Sequence, residues 1–342
     1  MPIRTGLIGF GRNGSTMHAG PLAQLPDFTL AAVADIQSSA REKAASHHQC
    51  PVYTDYRTML AEESLDLAVI VTYNHQHAPM AVDCLRAGVD VLVTKPWSVN
   101  ESEAQSMIRA AKETGRQLLP WLPARWGTQL VRLQELTAGR EVGDVFQVRR
   151  SVQTFGRRSD WQTRRDHGGG YLLNWGPHIV DQPLQLVNEP IASVYAQMRQ
   201  ILNPGDVEDV FYAALTTVTG KLIVCEHTVG AGPLPDWVVQ GSAGTICVNS
   251  RSVDVYQAVF SDEEDPKAYR GSTHITQHTE TVDPSIYGDE MVIYQAIARA
   301  LRQEKPYPVT LESALNLTRV LDAIRRSAET KETVHLEEEL DV

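Results

Sequence analysis

The first third of the chain alternates short apolar runs with amphipathic stretches. Five runs that are apolar on both faces have the length of buried strands, at 3–8, 30–34, 67–72, 89–93 and 117–121. Helical periodicity fills intervals between them, at 39–46, 78–87 and 102–114. Strands that alternate with helices predict βαβ units and a parallel, doubly wound sheet covered on both faces. We therefore predict an α/β domain over residues 1–122.

The pattern changes beyond residue 122. One helical stretch (128–138) precedes runs rich in β-branched and aromatic residues, at 145–154, 192–199, 210–219, 222–228, 237–241 and 245–248. Turn sequences such as Thr219-Gly220-Lys221 separate successive runs, which favours an open, mostly antiparallel sheet. Two helices follow, at 289–303 and 311–330. We predict a second, α+β domain over residues 123–342, whose last helices are candidates to pack back on the first domain.

Composition excludes several classes of partner. The 31 basic and 42 acidic residues give a net charge of −11, which argues against a nucleic-acid partner. No apolar run approaches the ~20 residues of a membrane span, and the first ten residues do not resemble a signal peptide. The four cysteines are scattered without C-x-x-C spacing, which favours free thiols in a reducing compartment. The apolar segments around Cys84, Cys225 and Cys247 predict that these three thiols are buried. We expect a soluble, cytoplasmic protein with no membrane partner.

A glycine-rich segment directly follows the first strand. It reads Gly9-Phe10-Gly11-Arg12-Asn13-Gly14, with the next helix expected near Ser15. In a dinucleotide site the first glycine makes the tight turn, the second admits a pyrophosphate and the third allows close helix–strand packing. A tight turn without a ligand is the alternative. Because the segment opens a βαβ unit, we predict that these six residues bind a dinucleotide.

Asp35 lies 21 residues after Gly14, at the end of the second strand. This spacing is close to the ~20 residues expected for the carboxylate that binds the adenosine ribose diol. A carboxylate there repels a ribose phosphate, so NAD is favoured over NADP unless Arg41 turns inward. Asp35 could instead cap the following helix, or do both. With its neighbour Ile36 it completes the predicted adenosine contacts.

Lys95 and Pro96 follow the buried strand at 89–93. Ligands of open α/β sheets bind beyond the carboxyl ends of the strands, so Lys95 is expected where a nicotinamide and its substrate meet. A lysine in a partly dry site has a lowered pKa and can exchange a proton with a hydroxyl group. An exposed lysine at a strand end is the alternative.

A second candidate segment begins with Gly168-Gly169-Gly170 and continues to Asp181. Asn174, His178 and Asp181 have the i, i+4 and i+7 spacing of one helical face. A histidine beside a lysine and a nicotinamide is a natural proton carrier at neutral pH, and Asp181 could orient it or anchor the helix. A structural helix with a buried histidine is the alternative.

Taken together, these motifs resemble the glucose–fructose oxidoreductase / inositol dehydrogenase (Gfo/Idh/MocA) family over nearly the whole chain. The resemblance rests on the glycine-rich start, on Tyr73-Asn74 with His77, on Ala87-Gly88 leading to Lys95-Pro96, on the segment 168–181 and on the helix that opens at Tyr307-Pro-Val-Thr-Leu.

The resemblance implies an N-terminal Rossmann domain and a C-terminal α/β domain with an open sheet. It also implies a bound nicotinamide and hydride transfer at a carbinol carbon of a sugar, polyol or sugar derivative. By motif position, Lys95 and His178 match the family's catalytic lysine and histidine. The predicted cofactor contacts then include Lys95 and Thr72, Tyr73, Asn74, His77 and Pro96. A homodimer or homotetramer is expected on the same basis.

Two departures from the family pattern bear on mechanism. Thr94 replaces the glutamate of the family's Glu-Lys-Pro, which removes a carboxylate beside the lysine. Asn174 stands where many family dehydrogenases carry aspartate. An amide aligns a hydroxyl but carries no proton at neutral pH. We therefore assign proton transfer to His178, with Lys95 stabilising the alkoxide and Asn174 as the third catalytic candidate.

Substrate contacts are predicted around the same segments. Six arginines crowd into a short stretch, at positions 149, 150, 157, 158, 164 and 165. They favour either an anionic substrate, with Arg157 as a contact, or a solvated loop or subunit contact. Aromatic rings can stack on a sugar, although buried packing is their commoner use. The predicted substrate contacts are Lys95, Trp126, Arg157, Trp161, Tyr171, Asn174 and His178.

No catalytic metal is expected, because the histidine pairs lack the further ligands that a zinc site needs. Two functional alternatives stay open beside the dehydrogenase. One is a redox-cycling glycosidase that oxidises a glycoside hydroxyl, eliminates the aglycone and re-reduces the product. The other is a non-enzymatic dinucleotide-binding regulator, which the presence of Lys95 and His178 disfavours.

Overall fold

The structure, a computed structural model, describes residues 1–232, 234–260 and 273–336. The chain divides into two compact units. Unit 1 consists of Met1–Pro123, Arg164–Gly169 and Gly288–Arg319. Unit 2 consists of Ala124–Thr163, Gly170–Tyr287 and Val320–Val342.

The strands are numbered in chain order. They are β1 (Ile3–Ile8), β2 (Phe28–Ala34), β3 (Val52–Tyr53), β4 (Leu67–Ile70), β5 (Asp90–Val93), β6 (Leu118–Pro120), β7 (Val145–Gln153), β8 (Ile191–Arg199), β9 (Val210–Thr217), β10 (Leu222–Thr228), β11 (Trp237–Gly241), β12 (Gly244–Asn249), β13 (Ser252–Phe260), β14 (Thr273–Thr281) and β15 (Val334–His335).

The α-helices are numbered in the same way. They are α1 (Ala19–Gln24), α2 (Ser38–His48), α3 (Tyr56–Glu62), α4 (His77–Arg86), α5 (Glu101–Thr114), α6 (Thr128–Ala138), α7 (Tyr171–Ile179), α8 (Asp181–Val187), α9 (Glu290–Leu301) and α10 (Leu311–Thr330). A π-helical turn (Gly14–His18) leads into α1, and 3-10 turns lie at Asn74–Gln76, Pro123–Trp126, Trp161–Thr163 and Arg165–His167.

Unit 1 is built on a parallel six-stranded sheet of order β3-β2-β1-β4-β5-β6. The strands consist almost wholly of buried residues, because helices cover both faces of such a sheet. The chain reverses its direction of travel across the sheet between β1 and β4. In open α/β sheets, the crevice at this switch point is where ligands bind.

Unit 2 is built on a mixed sheet of nine strands, in the order β14-β13-β12-β11-β7-β10-β9-β8-β15. Only the β7–β10 pair is parallel among its described pairings. Its core forms where the apolar face of α6 packs on inward-facing residues of the sheet. Members of this core include Leu130, Leu133, Val148, Trp237, Val239, Ile246, Val248 and Val255.

The predicted fold class is confirmed, and most strand and helix positions agree to within a few residues. The helix expected near Ser15 is present, with a π-helical turn at Gly14–His18 that leads into α1. Two expectations were wrong in detail. Asp181 begins α8 rather than extending the helix of Asn174 and His178. Cys84 and Cys225 are buried, but Cys247, which lies in an apolar segment, is only half-buried.

Within residues 1–232, 234–260 and 273–336, every helix is too short or too polar to span a membrane.

Candidate active site

The glycine-rich loop leaves β1 in a conformation that only glycine tolerates at two positions. Gly9 has φ +96°, and a Cβ there would lie 2.3 Å from the carbonyl oxygen of Val71. A Cβ on Gly14 would lie 2.1 Å from the carbonyl oxygen of Gly9. A Cβ on Gly11, in contrast, would meet no atom within 4 Å. The loop is therefore tight on its protein side and open at Gly11, which fits the approach of a pyrophosphate.

Asp35, directly after β2, is bonded to the same loop. Its Oδ2 accepts a hydrogen bond of 2.7 Å from the backbone nitrogen of Phe10, and its Oδ1 accepts one of 2.8 Å from the nitrogen of Gln37. Each oxygen retains lone pairs, so the carboxylate can still accept from a ribose diol. The N-cap of α2 is Gln37, so Asp35 braces the loop after β1 and the turn before the helix rather than capping the helix itself, and its position still fits ribose binding.

Arg41 lies against the segment that follows Asp35. Its Nη1 donates to the carbonyl oxygens of Asp35, at 2.8 Å, and of Ile36, at 3.0 Å. The Ile36 side chain is 67 % exposed, which leaves an apolar surface beside Asp35. The guanidinium therefore lies against the backbone of Asp35, the predicted ribose contact, where Arg41 could temper the predicted preference for NAD.

The segment after β4 carries three of the predicted cofactor contacts, Thr72, Tyr73 and Asn74. Nδ2 of Asn74, which is buried, donates to the carbonyl oxygen of Gly168 at 2.7 Å. Tyr73 packs edge-on against His167, with ring centroids 4.8 Å apart. Within unit 1, Asn74 therefore holds the segment 164–169 in place in addition to any contact with a cofactor.

Lys95 is half-buried between residues that are firmly held. On one side, Oγ1 of Thr94 donates to the carbonyl oxygen of Ile70 at 2.8 Å and joins the ends of β4 and β5. On the other side, Nε1 of the buried Trp97 donates to Oγ1 of Thr318 at 2.9 Å. Thr94 thus makes a structural contact where the family has a glutamate, and hydrogen bonds hold the backbone on both sides of Lys95.

His77, at the start of α4, braces the same loop. Its Nδ1 lies 2.8 Å from the carbonyl oxygen of Pro96, and its Nε2 lies 3.2 Å from that of Thr72. Burial lowers the pKa of His77 to about 4, so the ring is neutral at physiological pH. Both ring nitrogens face protein carbonyls, which makes His77 a support for the segments of Thr72 and Pro96.

In unit 2, α7 carries Asn174 and His178 on one face, four residues apart. Asn174 is 8 % exposed and His178 is 0 % exposed. Glu208 caps the start of the helix, because its backbone oxygen accepts from the nitrogen of Tyr171 at 3.1 Å and its Oε1 accepts from that of Leu172 at 2.9 Å. Gly170, with φ +109°, is needed there because a Cβ would lie 2.5 Å from Oε1 of Glu208.

Tyr287 approaches His178 from the segment after β14. Its hydroxyl oxygen lies 3.4 Å from Nε2 of His178, and the two rings meet edge to face with centroids 4.9 Å apart. The two residues are 109 positions apart in the chain, so no local sequence pattern links them.

Arg125 and Asp181 form a buried ion pair beside the end of α7. Nε and Nη2 of Arg125 donate to the two carboxylate oxygens of Asp181 at 2.9 and 2.8 Å, and Oδ1 also accepts from Gln185 at 3.2 Å. The side chains are 9 % and 0 % exposed. Of the two roles left open for Asp181, these contacts fit anchoring of the helix.

The arginine cluster is largely occupied by protein groups. Arg158 pairs with Asp160, and Arg164 pairs with Asp166. Arg150 is buried over the ring of Trp237, and burial lowers its pKa to about 10. Arg149 and Arg157 are exposed. These pairings weaken the case for an anionic substrate, for which the exposed Arg149 and Arg157 remain candidates.

The aromatic candidates differ in accessibility. Trp126 and Trp161 are half-buried in unit 2 and retain exposed surface. Tyr171 is buried, and its ring packs on that of His227 with centroids 4.4 Å apart. Tyr171 therefore serves as packing at the start of α7. No group of three or more His, Cys, Asp or Glu side chains among the described residues is arranged to hold a metal ion.

Comparison with protein families decides the identity of the chain. The model of an oxidoreductase family with an NAD-binding Rossmann fold matches residues 3–120, and the model of its C-terminal α/β domain matches residues 134–336. The chain belongs to the Gfo/Idh/MocA family. As a member of that family, it is an NAD(P)-binding oxidoreductase, and the resemblance seen in its motifs is confirmed.

Individual relatives cover the whole chain at low identity. The scyllo-inositol 2-dehydrogenase (NADP(+)) IolW of Bacillus subtilis is 26 % identical over 98 % of this chain and 96 % of its own. An NAD-binding protein of Listeria innocua has the same fold, with a TM-score of 0.85 at 24 % identity, covering 98 % of this chain and 99 % of its own.

The WlbA dehydrogenase of Bordetella pertussis, solved with NADH and UDP-GlcNAcA, has a TM-score of 0.81 at 23 % identity, covering 98 % of this chain and 99 % of its own. At such identities the two structures show the fold alone.

Proposed function

We propose that the protein is an NAD-dependent oxidoreductase that transfers hydride between nicotinamide and a hydroxyl or carbonyl carbon of a sugar, polyol or sugar derivative. The observation that carries the proposal is the loop after β1, which is open at Gly11 and bonded to the carboxylate of Asp35. These groups fit a pyrophosphate and a ribose diol at the switch point of a parallel sheet.

The preference for NAD over NADP rests on the charge of Asp35. A carboxylate fixed beside the ribose by the amides of Phe10 and Gln37 repels a 2′-phosphate. IolW is named as an NADP(+) enzyme. In this chain the positive charge of Arg41 lies beside Asp35 and would attract the 2′-phosphate that the carboxylate repels. We assign the stronger effect to Asp35, because Nη1 of Arg41 is already bonded to two carbonyl oxygens.

The bound nicotinamide would accept or return the hydride at its C4 atom. During oxidation, Lys95 stabilises the alkoxide that forms as the hydroxyl proton leaves, and His178 accepts that proton. Asn174 donates or accepts a hydrogen bond to align the hydroxyl, since an amide cannot carry the proton itself. General acid–base catalysis of this kind contributes about 10²- to 10⁴-fold to the rate.

The substrate class is inferred from relatives. IolW is named for scyllo-inositol, and WlbA was solved with a nucleotide sugar, so a cyclic polyol or a sugar derivative is the first class to test. The half-buried rings of Trp126 and Trp161 would suit the apolar face of such a ring. Cytoplasmic location and assembly as a homodimer or homotetramer stay predictions, the latter testable by light scattering.

A panel of polyols, free sugars, sugar acids and aryl glycosides, each with NAD or NADP, tests the proposal. Nicotinamide reduction and aglycone release are followed in the same wells. Stoichiometric NADH formation with a polyol or sugar supports the dehydrogenase. An absence of nicotinamide reduction and of aglycone release across the whole panel, by protein that binds NADH, would count against both enzymatic functions.

A redox-cycling glycosidase is the second candidate, favoured by Asn174 in place of the family's usual aspartate. Such an enzyme oxidises a hydroxyl only transiently, so the bond that is finally broken is the glycosidic one. It would release aglycone only when NAD is present, and it would accumulate no NADH. The panel separates the two functions directly.

A further inference from the structure

Tyr287 and His178 form a contact that the proposed proton transfer leaves unexplained. The tyrosine hydroxyl lies 3.4 Å from Nε2 of a histidine that is fully buried. This is a long hydrogen bond, but such bonds in ligand-free sites commonly shorten when the substrate complex forms. The edge-to-face ring contact also restricts rotation of the imidazole.

The segment that carries Tyr287 is itself fixed. Oγ of Ser285 donates to the carbonyl oxygen of Tyr287 at 2.6 Å, and the nitrogen of Ser285 donates to Oδ1 of Asp283 at 2.8 Å. On the side of α6, Oγ1 of Thr128 donates to the carbonyl oxygen of Asp283. Three hydrogen bonds thus hold the turn that carries the tyrosine.

A further link joins this segment to the helices of the site. Nε2 of the buried Gln182 donates to the carbonyl oxygen of Ala124 at 3.0 Å and lies 3.5 Å from that of Ile286. Gly127 permits the close packing, since a Cβ there would lie 2.7 Å from the oxygen of Ile286. Gln182 follows His178 by four positions. The two segments therefore meet at Tyr287 with His178 and again at Ile286 with Gln182.

We propose that Tyr287 is a positioning residue for His178: its hydroxyl oxygen accepts a hydrogen bond from Nε2–H and holds the imidazole in one orientation, so that the catalytic proton is gained and lost at the other ring nitrogen, Nδ1. A phenol oxygen can accept from an Nε2 that bears hydrogen in both the neutral and the charged ring. The bond to the charged imidazolium is the stronger of the two, so the tyrosine favours the protonated ring. The inference rests on the proposed function for its catalytic meaning, but not for the contact itself.

Other charged and titratable groups near α7 also influence the protonation of His178. α7 and its continuation α8 pack on β7, β9 and β10. Those elements and the adjoining segments carry Arg150, Glu208, Glu226 and His227, together with the Arg125–Asp181 pair. The Tyr287→Phe variant keeps every one of these residues, so a shift in the titration of His178 between the two proteins reports on the tyrosine hydroxyl.

The first test needs no substrate. Histidine titrations are recorded by NMR for the wild-type protein and Tyr287→Phe, with His178→Gln used to assign the resonance. Phenylalanine keeps the ring contact but removes the partner of the charged imidazolium, so the titration of His178 should move to lower pH. Tyr195→Phe is the matched control, since it also removes a hydroxyl in unit 2, one that accepts from Gln197.

The second test is kinetic. Tyr287→Phe should lower kcat by about 10- to 100-fold, within the range of general acid–base catalysis, while KM and NADH binding change less than threefold. The pH dependence of kcat/KM should move with the titration of His178. In the His178→Gln background, Tyr287→Phe should cost less than twofold, because the tyrosine acts through the histidine.

The outcomes are distinct. An unchanged His178 titration in folded Tyr287→Phe overturns the inference, as does a fully additive loss of kcat in the double variant. If the wild-type protein oxidises nothing in the panel, the proposed function fails, yet the NMR titration still decides whether Tyr287 controls His178. A shifted titration with reduced kcat supports the inference.

Discussion

The backbone nitrogen of Phe10 donates a hydrogen bond of 2.7 Å to Oδ2 of Asp35. This bond joins the glycine-rich loop after β1 to the residue after β2, so one carboxylate both shapes the loop that we propose for the pyrophosphate and is the contact that we propose for the ribose. A residue with these two tasks cannot be changed without affecting cofactor affinity and cofactor choice together.

Asp35→Ala should exchange one cofactor preference for the other. Loss of a hydrogen bond to a charged group costs about 1.5–3 kcal/mol, so kcat/KM with NAD should fall about tenfold or more. Removal of the negative charge should raise kcat/KM with NADP. Initial rates with both cofactors measure the change.

Arg41 provides the matched control for that experiment. Arg41→Ala should leave kcat/KM with NAD nearly unchanged. In the Asp35→Ala background, Arg41→Ala should abolish the increase in kcat/KM with NADP that Asp35→Ala produces alone. A wild-type protein with higher kcat/KM for NADP would contradict the assignment of the stronger effect to Asp35.

Alanine at Gly11 and at Gly14 should have opposite consequences. A Cβ on Gly11 meets no protein atom within 4 Å, so Gly11→Ala should keep the wild-type melting temperature but bind NADH more weakly. A Cβ on Gly14 would collide with the carbonyl oxygen of Gly9, so Gly14→Ala should be destabilised. Thermal unfolding with NADH titration distinguishes them, and normal NADH affinity in Gly11→Ala would refute the assigned role of the loop.

Replacing only one member of the buried Arg125–Asp181 pair should strongly destabilise the fold. Arg125→Met leaves the Asp181 carboxylate buried without its arginine, which should lower the free energy of unfolding by about 3–5 kcal/mol. Arg125→Met combined with Asp181→Leu should recover part of that loss. Urea denaturation measures both, and Arg140→Met, which breaks the exposed Arg140–Asp144 pair, should have little effect.

Buried neutral histidines should make stability depend on pH. Burial lowers the pKa of His18 to about 3 and that of His227 to about 4, whereas the unfolded chain has ordinary values near 6.5. At a pH between the folded and unfolded pKa values, the unfolded state binds more protons than the folded state. The free energy of unfolding should therefore fall as pH drops below about 6.5. Well above pH 6.5 both histidines are neutral in both states, so they do not make the free energy of unfolding depend on pH.

One substitution isolates this effect. His227→Gln should reduce the slope between pH 6.5 and 5 by up to about 1.4 kcal/mol per pH unit. His335→Gln, at an exposed position, is the control and should leave the slope unchanged. An identical slope in wild-type and His227→Gln protein would show that the histidine is not held neutral by burial.

The sequence predicts the sheet of unit 1 well because its strands are apolar on both faces. It does not reveal β3 and α3, since a two-residue strand is too short to show a period. In unit 2 it does not reveal β14, whose residues are almost all exposed and therefore lack an apolar face. Where burial does not alternate, hydrophobic periodicity carries no signal.

The same limit applies to the candidate site. The glycine-rich loop and Asp35 are readable because their spacing is fixed by one βαβ unit. Glu208 and Tyr287 are not, because they reach α7 from 36 and 109 positions away along the chain. Their side chains have no distinctive local context, so only the folded chain identifies them as partners of the helix.

Lys95 and His178 are expected to contribute separately to the chemistry. Lys95→Met should abolish hydride transfer while NADH binding stays within about threefold, because the lysine stabilises charge that develops in the reaction. His178→Gln should lower kcat by about 10²- to 10⁴-fold. Near-normal kcat in His178→Gln, with activity abolished in Lys95→Met, would show that proton transfer does not depend on the histidine.

Isotope transfer tests the central claim most directly. A substrate identified in the panel is prepared with deuterium at its carbinol carbon, and the reduced nicotinamide is analysed by mass spectrometry. The account predicts NADH that carries one deuterium for each carbonyl product formed. NADH without deuterium, or deuterium-labelled substrate that releases aglycone while no NADH accumulates, would contradict net hydride transfer from carbon to nicotinamide.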